Sequence, residues 1–169
     1  MLGPEMKSTG EVMGTGRSFG EAYAKAQSAS GVLLPRAGTC FISVKERDKP
    51  GAVDLARKLV ERGFHLVATE GTARMITDAG IACRTVNKVR EGRPHCVDMI
   101  KNGELVLIVN TTEGKQAVRE SHSIRREAVQ RRVTYYTTLA AALATCEALD
   151  SLDKVDVNRL QDLHQEVHA

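Results

Sequence analysis

The sequence is poor in aromatic side chains: it contains no tryptophan, and aromatic residues make up 4% of its 169 positions. A hydrophobic core must therefore be built mainly from Val, Leu, Ile and Ala, for which the hydrophobic content of 42% is sufficient. No apolar run reaches the roughly 20 residues that a membrane-spanning helix needs. The first residues, MLGPEMKSTG, lack the apolar segment of a signal peptide. We therefore expect a cytoplasmic globular protein with no membrane partner.

The sequence also lacks the cysteine spacing that metal sites and disulfide frameworks use. Its four cysteines are Cys40, Cys83, Cys96 and Cys146, and no two of them form a CxxC pair. The five histidines are dispersed, without a ligand-like pairing to cysteine or carboxylate side chains. We therefore expect reduced thiols and no metal site.

The excess of positive charge is small. Lysine and arginine number 24 and aspartate and glutamate 21, which gives a formal net charge of +3. A nucleic-acid-binding protein needs basic residues clustered into a footprint, so we expect no nucleic-acid partner. Any site for an anion must depend on a local group of residues.

Apolar runs alternate with segments of helical periodicity from Thr39 onward. Strands are predicted at residues 39–45, 64–69, 83–86, 104–110 and 133–136. Helices are predicted at residues 51–63, 72–80, 95–103, 123–132 and 138–149. This alternation is typical of βαβ units, so it predicts an α/β fold with a mostly parallel sheet of about five strands.

The two ends of the chain differ from this regular region. Residues 1–38 are glycine-rich and contain one short predicted helix. At its start, Ser18 and Glu21 have the spacing of a capping box. Residues 150–169 are predicted to form a helical tail. Its apolar face is expected to consist of Val157, Leu160, Leu163 and Val167.

Hydroxyl, amide and lysine side chains recur where the predicted strands end. In parallel α/β sheets, ligands bind beyond the carboxyl ends of the strands. A phosphate site needs backbone N–H groups at a helix start, a glycine for close approach, hydroxyl donors and a cation. The segment TEGT, from Thr69 to Thr72, supplies these together with Lys49 or Lys88. A second group, Asn110-Thr111-Thr112, follows the strand ELVLIVN.

Each of these residues also has a simpler interpretation. Thr72 is typical of a helix N-cap, and Lys49 of a solvated lysine at a helix start. The side chains from Asn110 to Thr112 could satisfy local backbone groups in a turn. The recurrence of such residues at one edge of one sheet favours an anion site.

Three segments together resemble a known family. The segments ATEGTA, NKVREGRPHCVDMIKNGE and VNTTEGK, in this order, are similar to the C-terminal, methylglyoxal-synthase-like regulatory domain of the carbamoyl phosphate synthetase large subunit. The resemblance implies that residues 39–149 form this regulatory domain, with a Rossmann-like, methylglyoxal-synthase-like three-layer fold in which helices flank a roughly five-stranded parallel sheet. It implies that residues 1–38 match the end of the preceding ATP-grasp unit and a linker helix. It covers only a terminal part of a much longer enzyme, whose two ATP-grasp catalytic units lie outside this chain.

The resemblance implies two sets of binding residues. By position, those carried over to a nucleotide effector site are Lys49, Thr69, Thr72, Lys88, Asn110, Thr111, Thr112 and Ser121. Tyr135 and Thr137 match the regulatory domain's share of an ornithine site. Glu70 departs from the histidine often found between the two threonines in that family.

The function implied by the resemblance is allosteric. The segment is expected to bind UMP or IMP, to be non-catalytic on its own, and to form part of an ATP-dependent ligase that makes carbamoyl phosphate for pyrimidine and arginine biosynthesis. ATP and magnesium or manganese are expected only in the ATP-grasp units, so no cofactor is expected in this segment. The expected protein partners are the ATP-grasp portion of the large subunit and the glutaminase small subunit, with self-association left open.

The alternative function is that of a lyase. Methylglyoxal synthase is similar around ATEGTA and acts on dihydroxyacetone phosphate, but it uses a glycine-rich segment with an aspartate for proton abstraction. The corresponding stretch here is NKVREGRPH, without a Gly-Gly-Asp run.

Overall fold

The computed structural model describes residues 10–154, 157–159, 161–162 and 165. Five strands form one parallel sheet in the order β3-β2-β1-β4-β5. The strands are β1 (Gly38–Ser43), β2 (Phe64–Ala68), β3 (Arg84–Thr85), β4 (Leu105–Asn110) and β5 (Thr134–Tyr136). The helices are α1 (Phe19–Ala29), α2 (Lys49–Glu61), α3 (Glu70–Asp78), α4 (Cys96–Lys101), α5 (Gly114–Glu120), α6 (His122–Gln130) and α7 (Leu139–Leu149). The predicted α/β fold with a five-stranded parallel sheet is confirmed.

The central strands are buried, as a parallel sheet covered by helices requires. Phe41 and Ile42 of β1 and Ile108 and Val109 of β4 have no exposed surface. Helices contribute further apolar side chains, including Ile100 of α4, which lies in one core cluster with Phe41 and Ile108. The continuous apolar runs that predicted these strands are therefore the residues that form the core.

One helix was not predicted. α5 follows the predicted turn at Asn110–Thr112 and begins at Gly114, whose φ angle is 84°. A glycine in this conformation is typical of a turn, and the seven residues GKQAVRE contain no repeating apolar stripe. A helix this short gives too little periodicity to be detected from the sequence.

The chain divides into two compact units. Residues 35–146 form one unit, which contains the whole sheet. Residues 1–34 and 147–169 form the other. Residues 1–38 remain only a predicted match to the end of an ATP-grasp unit. Within the described residues, no helix is both long and apolar enough to cross a bilayer.

In the second unit, the predicted first helix is present as α1. Ser18 Oγ accepts a hydrogen bond from the backbone N–H of Glu21 at 3.2 Å. A Cβ atom on Gly20 would lie 2.5 Å from the carbonyl oxygen of Glu147, so glycine permits close packing of α1 on the end of α7. The predicted tail begins with a single 3-10 turn, Leu152–Lys154. Three positions of its predicted apolar face lie outside the described residues: Leu160, Leu163 and Val167.

The pairing of β1 with β4 contains an irregularity at its beginning. Thr39 pairs with Leu105 and Cys40 with Leu107, so that Val106 is an extra residue on β4. Gly38 has a φ angle of 127°, and a Cβ atom there would lie 2.7 Å from Cγ2 of Val106. Glycine is therefore required at this position for two reasons: the positive backbone angle and the close approach of the neighbouring valine.

We predict that Gly38→Ala lowers the free energy of unfolding by about 2–4 kcal/mol, because backbone strain and a steric clash act together. The matched control is Gly80→Ala, where φ is 77° but a Cβ atom meets nothing within 4 Å. That control should lose only about 1–2 kcal/mol, the cost of the backbone angle. Chemical denaturation measures both values, and equal losses would contradict the clash with Val106.

Candidate functional site

The candidate site lies where the order of the strands reverses. The chain runs outward from β1 through β2 to β3 and then returns to place β4 on the other side of β1. The last residues of the two central strands, Ser43 and Asn110, are paired in register. A pocket of about 300 Å³ opens beyond these residues, at the position where parallel α/β sheets bind their ligands.

Six of the eight predicted effector-site residues line this pocket. They are Thr69, Lys88, Asn110, Thr111, Thr112 and Ser121. They come from four separate parts of the sequence, and the parallel pairing of β2, β1 and β4 brings two of these parts, Thr69 and Asn110–Thr112, to one edge of the sheet. The structure thus brings most of the predicted site together.

The other two predicted residues, Lys49 and Thr72, lie beside the pocket without lining it. Thr72 is buried, and its hydroxyl accepts a hydrogen bond from the backbone N–H of Val44 at 3.4 Å, so it supports the end of β1. Nζ of Lys49 lies 2.6 Å from a carboxylate oxygen of Glu46. A Cβ atom on Gly71 would lie 3.5 Å from Nζ of Lys49, which places this lysine at the first turn of α3.

The floor of the pocket is formed by polar groups that bind one another. Oγ of Ser43 and Oγ1 of Thr69 are 3.3 Å apart. The hydroxyl of Thr111 accepts a hydrogen bond from the backbone N–H of Lys45 at 3.1 Å. The backbone N–H of Thr111 in turn donates to the carbonyl oxygen of Ser43 at 3.0 Å. These contacts fix the ends of β1, β2 and β4 relative to one another.

Ser43 and Lys45 line the pocket but were not among the predicted site residues. Both lie at the carboxyl end of β1, so the rule that identified the other strand ends could have found them. Ser121 lies between α5 and α6 and is buried, and its hydroxyl donates to the carbonyl oxygen of Val118 at 3.0 Å. Its predicted place at the pocket came from the family resemblance alone.

The charged side chains around the pocket are mainly basic. Lys45, Lys88 and Arg90 line it, whereas Glu113 is the single acidic residue lining it within the described part of the chain. Lys88 lies 3.8 Å from Glu91, and its side chain is 58% exposed. A pocket with three cations and one carboxylate favours an anionic ligand.

One wall of the pocket is apolar. Phe41, Val89, Cys96 and Ile124 line it. Burial raises the pKa of the Cys96 thiol to about 12, so this side chain is uncharged at neutral pH. The pocket therefore combines polar and basic groups with an apolar surface. In the described residues, no three His, Cys, Asp or Glu side chains are grouped as a metal ion would require.

The loop that carries Lys88 into the pocket is held by Asp98 of α4. Its carboxylate accepts a hydrogen bond from the backbone N–H of His95 at 3.1 Å and another from Nε of Arg93 at 2.9 Å. The loop also closes through an isolated bridge between Asn87 and His95. The hydrogen bond from Arg93 is the main reason that the pKa of Asp98 is lowered to about 2.

A second network joins the pocket to β5. Nδ2 of Asn110 donates to the hydroxyl oxygen of Tyr135 at 2.9 Å. Nε of Arg125 lies 3.4 Å from the same oxygen, and its Nη2 lies 3.5 Å from Oγ1 of Thr112. Tyr135, predicted for a separate ligand, is thus hydrogen-bonded to Asn110, which lines the pocket, and to Arg125, which does not. Thr137, predicted with it, is exposed just after β5 and does not line the pocket.

Comparison with known proteins gives three findings. The family model of the MGS-like domain matches residues 51–137. Carbamoyl phosphate synthase large chains from Pseudomonas putida and Pseudomonas aeruginosa are 57% and 58% identical to this chain over all 169 residues. The chain spans only 16% of the length of these relatives. Methylglyoxal synthase from Elizabethkingia anophelis has a similar structure, with a TM-score of 0.56 and 15% sequence identity, over 78% of this chain and 93% of that one.

We predict that Asp98 makes the stability of the chain sensitive to acid. Its pKa is lower in the folded than in the unfolded chain, so its stabilising effect is complete above about pH 4 and is lost as the pH falls towards 2. Asp98→Asn and Arg93→Met should each flatten the acid side of the unfolding midpoint plotted against pH.

Thermal unfolding between pH 2 and pH 6 measures this effect. The control is Asp54→Asn on α2, whose carboxylate is 69% exposed and lies 3.5 Å from Arg57. It should leave the acid dependence close to that of the wild type. Parallel curves for Asp98→Asn and the wild type across the whole range would show that the prediction is wrong.

Proposed function

Since the chain belongs to the MGS-like domain family, we propose that it is a nucleotide-binding regulatory domain whose effector is UMP or IMP. The observation that carries this proposal is the convergence of six predicted residues on one pocket at the switch between β1 and β4. Together, the sequence pattern and the family resemblance predict these residues. Their hydroxyl, amide and lysine groups are suited to binding a phosphate. Their assembly supports an anionic ligand at this edge of the sheet.

The chemistry of the pocket fits a nucleoside monophosphate. Lys45 and Lys88 offer positive charge, and Thr111 and Thr112 offer hydroxyl groups to phosphate oxygens. The apolar wall that contains Ile124 gives a surface against which a base can pack. The volume of about 300 Å³ lies at the lower end of the range for small-molecule sites, which favours a mononucleotide over a dinucleotide.

We further propose that the chain acts within the carbamoyl phosphate synthase large chain, as its 57% identity to the Pseudomonas putida protein supports. In this role it would regulate carbamoyl phosphate synthesis for pyrimidine and arginine biosynthesis in the cytoplasm. Its partners would be the ATP-grasp portion and the glutaminase small subunit. ATP and magnesium or manganese would bind in the ATP-grasp units. Tyr135 and Thr137 would contribute to an ornithine site.

The fold of methylglyoxal synthase raises the alternative that the pocket is catalytic. A lyase acting on dihydroxyacetone phosphate needs a general base to remove a proton from carbon, and the best base has a pKa near the working pH. Glu113 is the one carboxylate lining the pocket within the described residues, and its side chain is exposed. Asp98 is bound by Arg93 and has a pKa of about 2, which makes it a weak base. These observations favour binding over catalysis.

We predict that calorimetry detects binding of UMP or IMP. Lys88→Ala should weaken it by about 1.5–3 kcal/mol, because it removes a charge-assisted phosphate contact. Lys49→Ala should also weaken it, because it removes a positive charge beside the pocket. Lys88→Ala is expected at the lower end, since its side chain is 58% exposed and water screens its charge. The matched control is Lys101→Ala, an exposed lysine in the last turn of α4, which should leave affinity unchanged.

Unchanged affinity in both lysine variants would contradict the assignment of the phosphate site. Thermal shift with UMP, IMP and the dicarboxylate N-acetylglutamate at matched concentrations tests whether the effector is a nucleotide or a dicarboxylate. The hydroxyls and lysines suit a phosphate and ribose hydroxyls better than a dicarboxylate. Stabilisation by N-acetylglutamate alone would therefore overturn the nucleotide assignment and leave the family assignment intact.

We also predict that the chain forms no methylglyoxal from dihydroxyacetone phosphate, because Glu113, the one carboxylate lining the described pocket, has an exposed side chain. Incubation with this substrate and a colorimetric assay for methylglyoxal measures the activity, with a methylglyoxal synthase as the positive control. Formation of product above the heat-inactivated sample would favour the lyase function.

A further inference from the structure

Arg125 of α6 lies at the border between the core and the pocket. Its neighbour Ile124 and the residue three positions on, Ala128, are both buried in the core, which turns this side of α6 inward. Arg125 is itself half-buried. Nothing in the sequence pattern distinguishes it from Arg126, the next residue, which is exposed.

The guanidinium of Arg125 bridges two elements that end near the pocket. It lies 3.5 Å from Oγ1 of Thr112, which lines the pocket just after β4. It also lies 3.4 Å from the hydroxyl oxygen of Tyr135 on β5, which accepts a second hydrogen bond from Asn110 at 2.9 Å. One side chain therefore contacts the pocket wall directly through Thr112 and indirectly through Asn110.

The contacts of Arg125 differ from those of the lysines at the pocket. Among the side chains that the structure describes, no aspartate or glutamate lies within ion-pair distance of it. By contrast, Lys45 lies 3.8 Å from Asp48, and Lys88 lies 3.8 Å from Glu91. A half-buried cation held by two neutral hydroxyls keeps most of its electrostatic effect on neighbouring groups, because little water screens it.

The hydrogen bond to Thr112 also sets the direction of that hydroxyl. A guanidinium can only donate hydrogen bonds, so Oγ1 of Thr112 accepts from it. The hydrogen of the hydroxyl then points away from Arg125 and is available to an acceptor in the pocket. A phosphate oxygen is such an acceptor.

We propose that Arg125 is a positioning residue of the pocket: it orients the Thr112 hydroxyl as a donor to the bound phosphate and adds positive charge behind it. This inference rests on the proposed nucleotide-binding function. It adds a residue outside the pocket lining to the determinants of affinity, and it makes β5 part of the same hydrogen-bonded unit through Tyr135.

The test is calorimetric titration of the full chain with UMP and with IMP at several salt concentrations. Arg125→Met should weaken binding about tenfold, the order expected for one hydrogen bond and a nearby charge. It should also reduce the dependence of affinity on salt. Arg125→Lys should lose about threefold and keep the salt dependence of the wild type, because its charge remains. Arg126→Met removes the same charge one position away and should match the wild type in affinity.

A double-mutant cycle with Thr112→Val separates positioning from charge alone. If Arg125 acts through the Thr112 hydroxyl, the combined loss is smaller than the product of the two single losses. Thermal unfolding of each variant checks that it is folded. If Arg125→Met does not fold, Arg125→Lys is used for the test instead. If the wild type binds the nucleotide and Arg125→Met has the same affinity as Arg126→Met, this inference is overturned and the proposed function still stands. Absence of wild-type binding to both nucleotides would overturn the two together.

Discussion

The parallel pairing of β1 with β4 is the interaction on which the pocket depends. These two strands are separated in the sequence by more than 60 residues, yet their last residues, Ser43 and Asn110, lie side by side. The pairing places the segment after β1 against the segment after β4, with β2 and its Thr69 on the other flank of β1. Hydroxyl and basic side chains from distant positions thereby come to one edge of the sheet. A change in the register of this pair would separate them.

The buried polar side chains at this edge serve the fold as well as any ligand. Thr72, Thr111 and Ser121 are almost entirely buried, and each hydroxyl has a protein hydrogen-bond partner. A buried hydroxyl without such a partner would destabilise the chain. The interpretation of Thr72 as an N-cap is wrong, because the N-cap of α3 is Thr69, but the role of Thr72 in supporting the end of β1 is compatible with an anion site at this edge. The threonines that join the strand ends also hold the shape of the pocket.

Residue patterns predicted the parts of the fold that depend on local sequence. The apolar runs identified the central strands, because parallel strands buried on both faces are nearly continuous in hydrophobic residues. The strand-end rule identified Thr69, Lys88 and Asn110, since it requires only knowledge of where a strand stops. α5 was missed because seven residues carry too little periodicity. Arg125 was missed because its contacts depend on which side of α6 is turned towards the core. The sequence does not distinguish its position from one on the exposed face of the helix.

The lengths of the outer strands have a consequence for how the chain meets other molecules. The sheet ends at β3, with two residues, and at β5, with three. An edge strand offers unpaired N–H and C=O groups that can recruit a strand from another chain, and short edges limit this recruitment. Edges of this length provide room for only a few intermolecular backbone hydrogen bonds. The fold is therefore protected against aggregation by sheet extension.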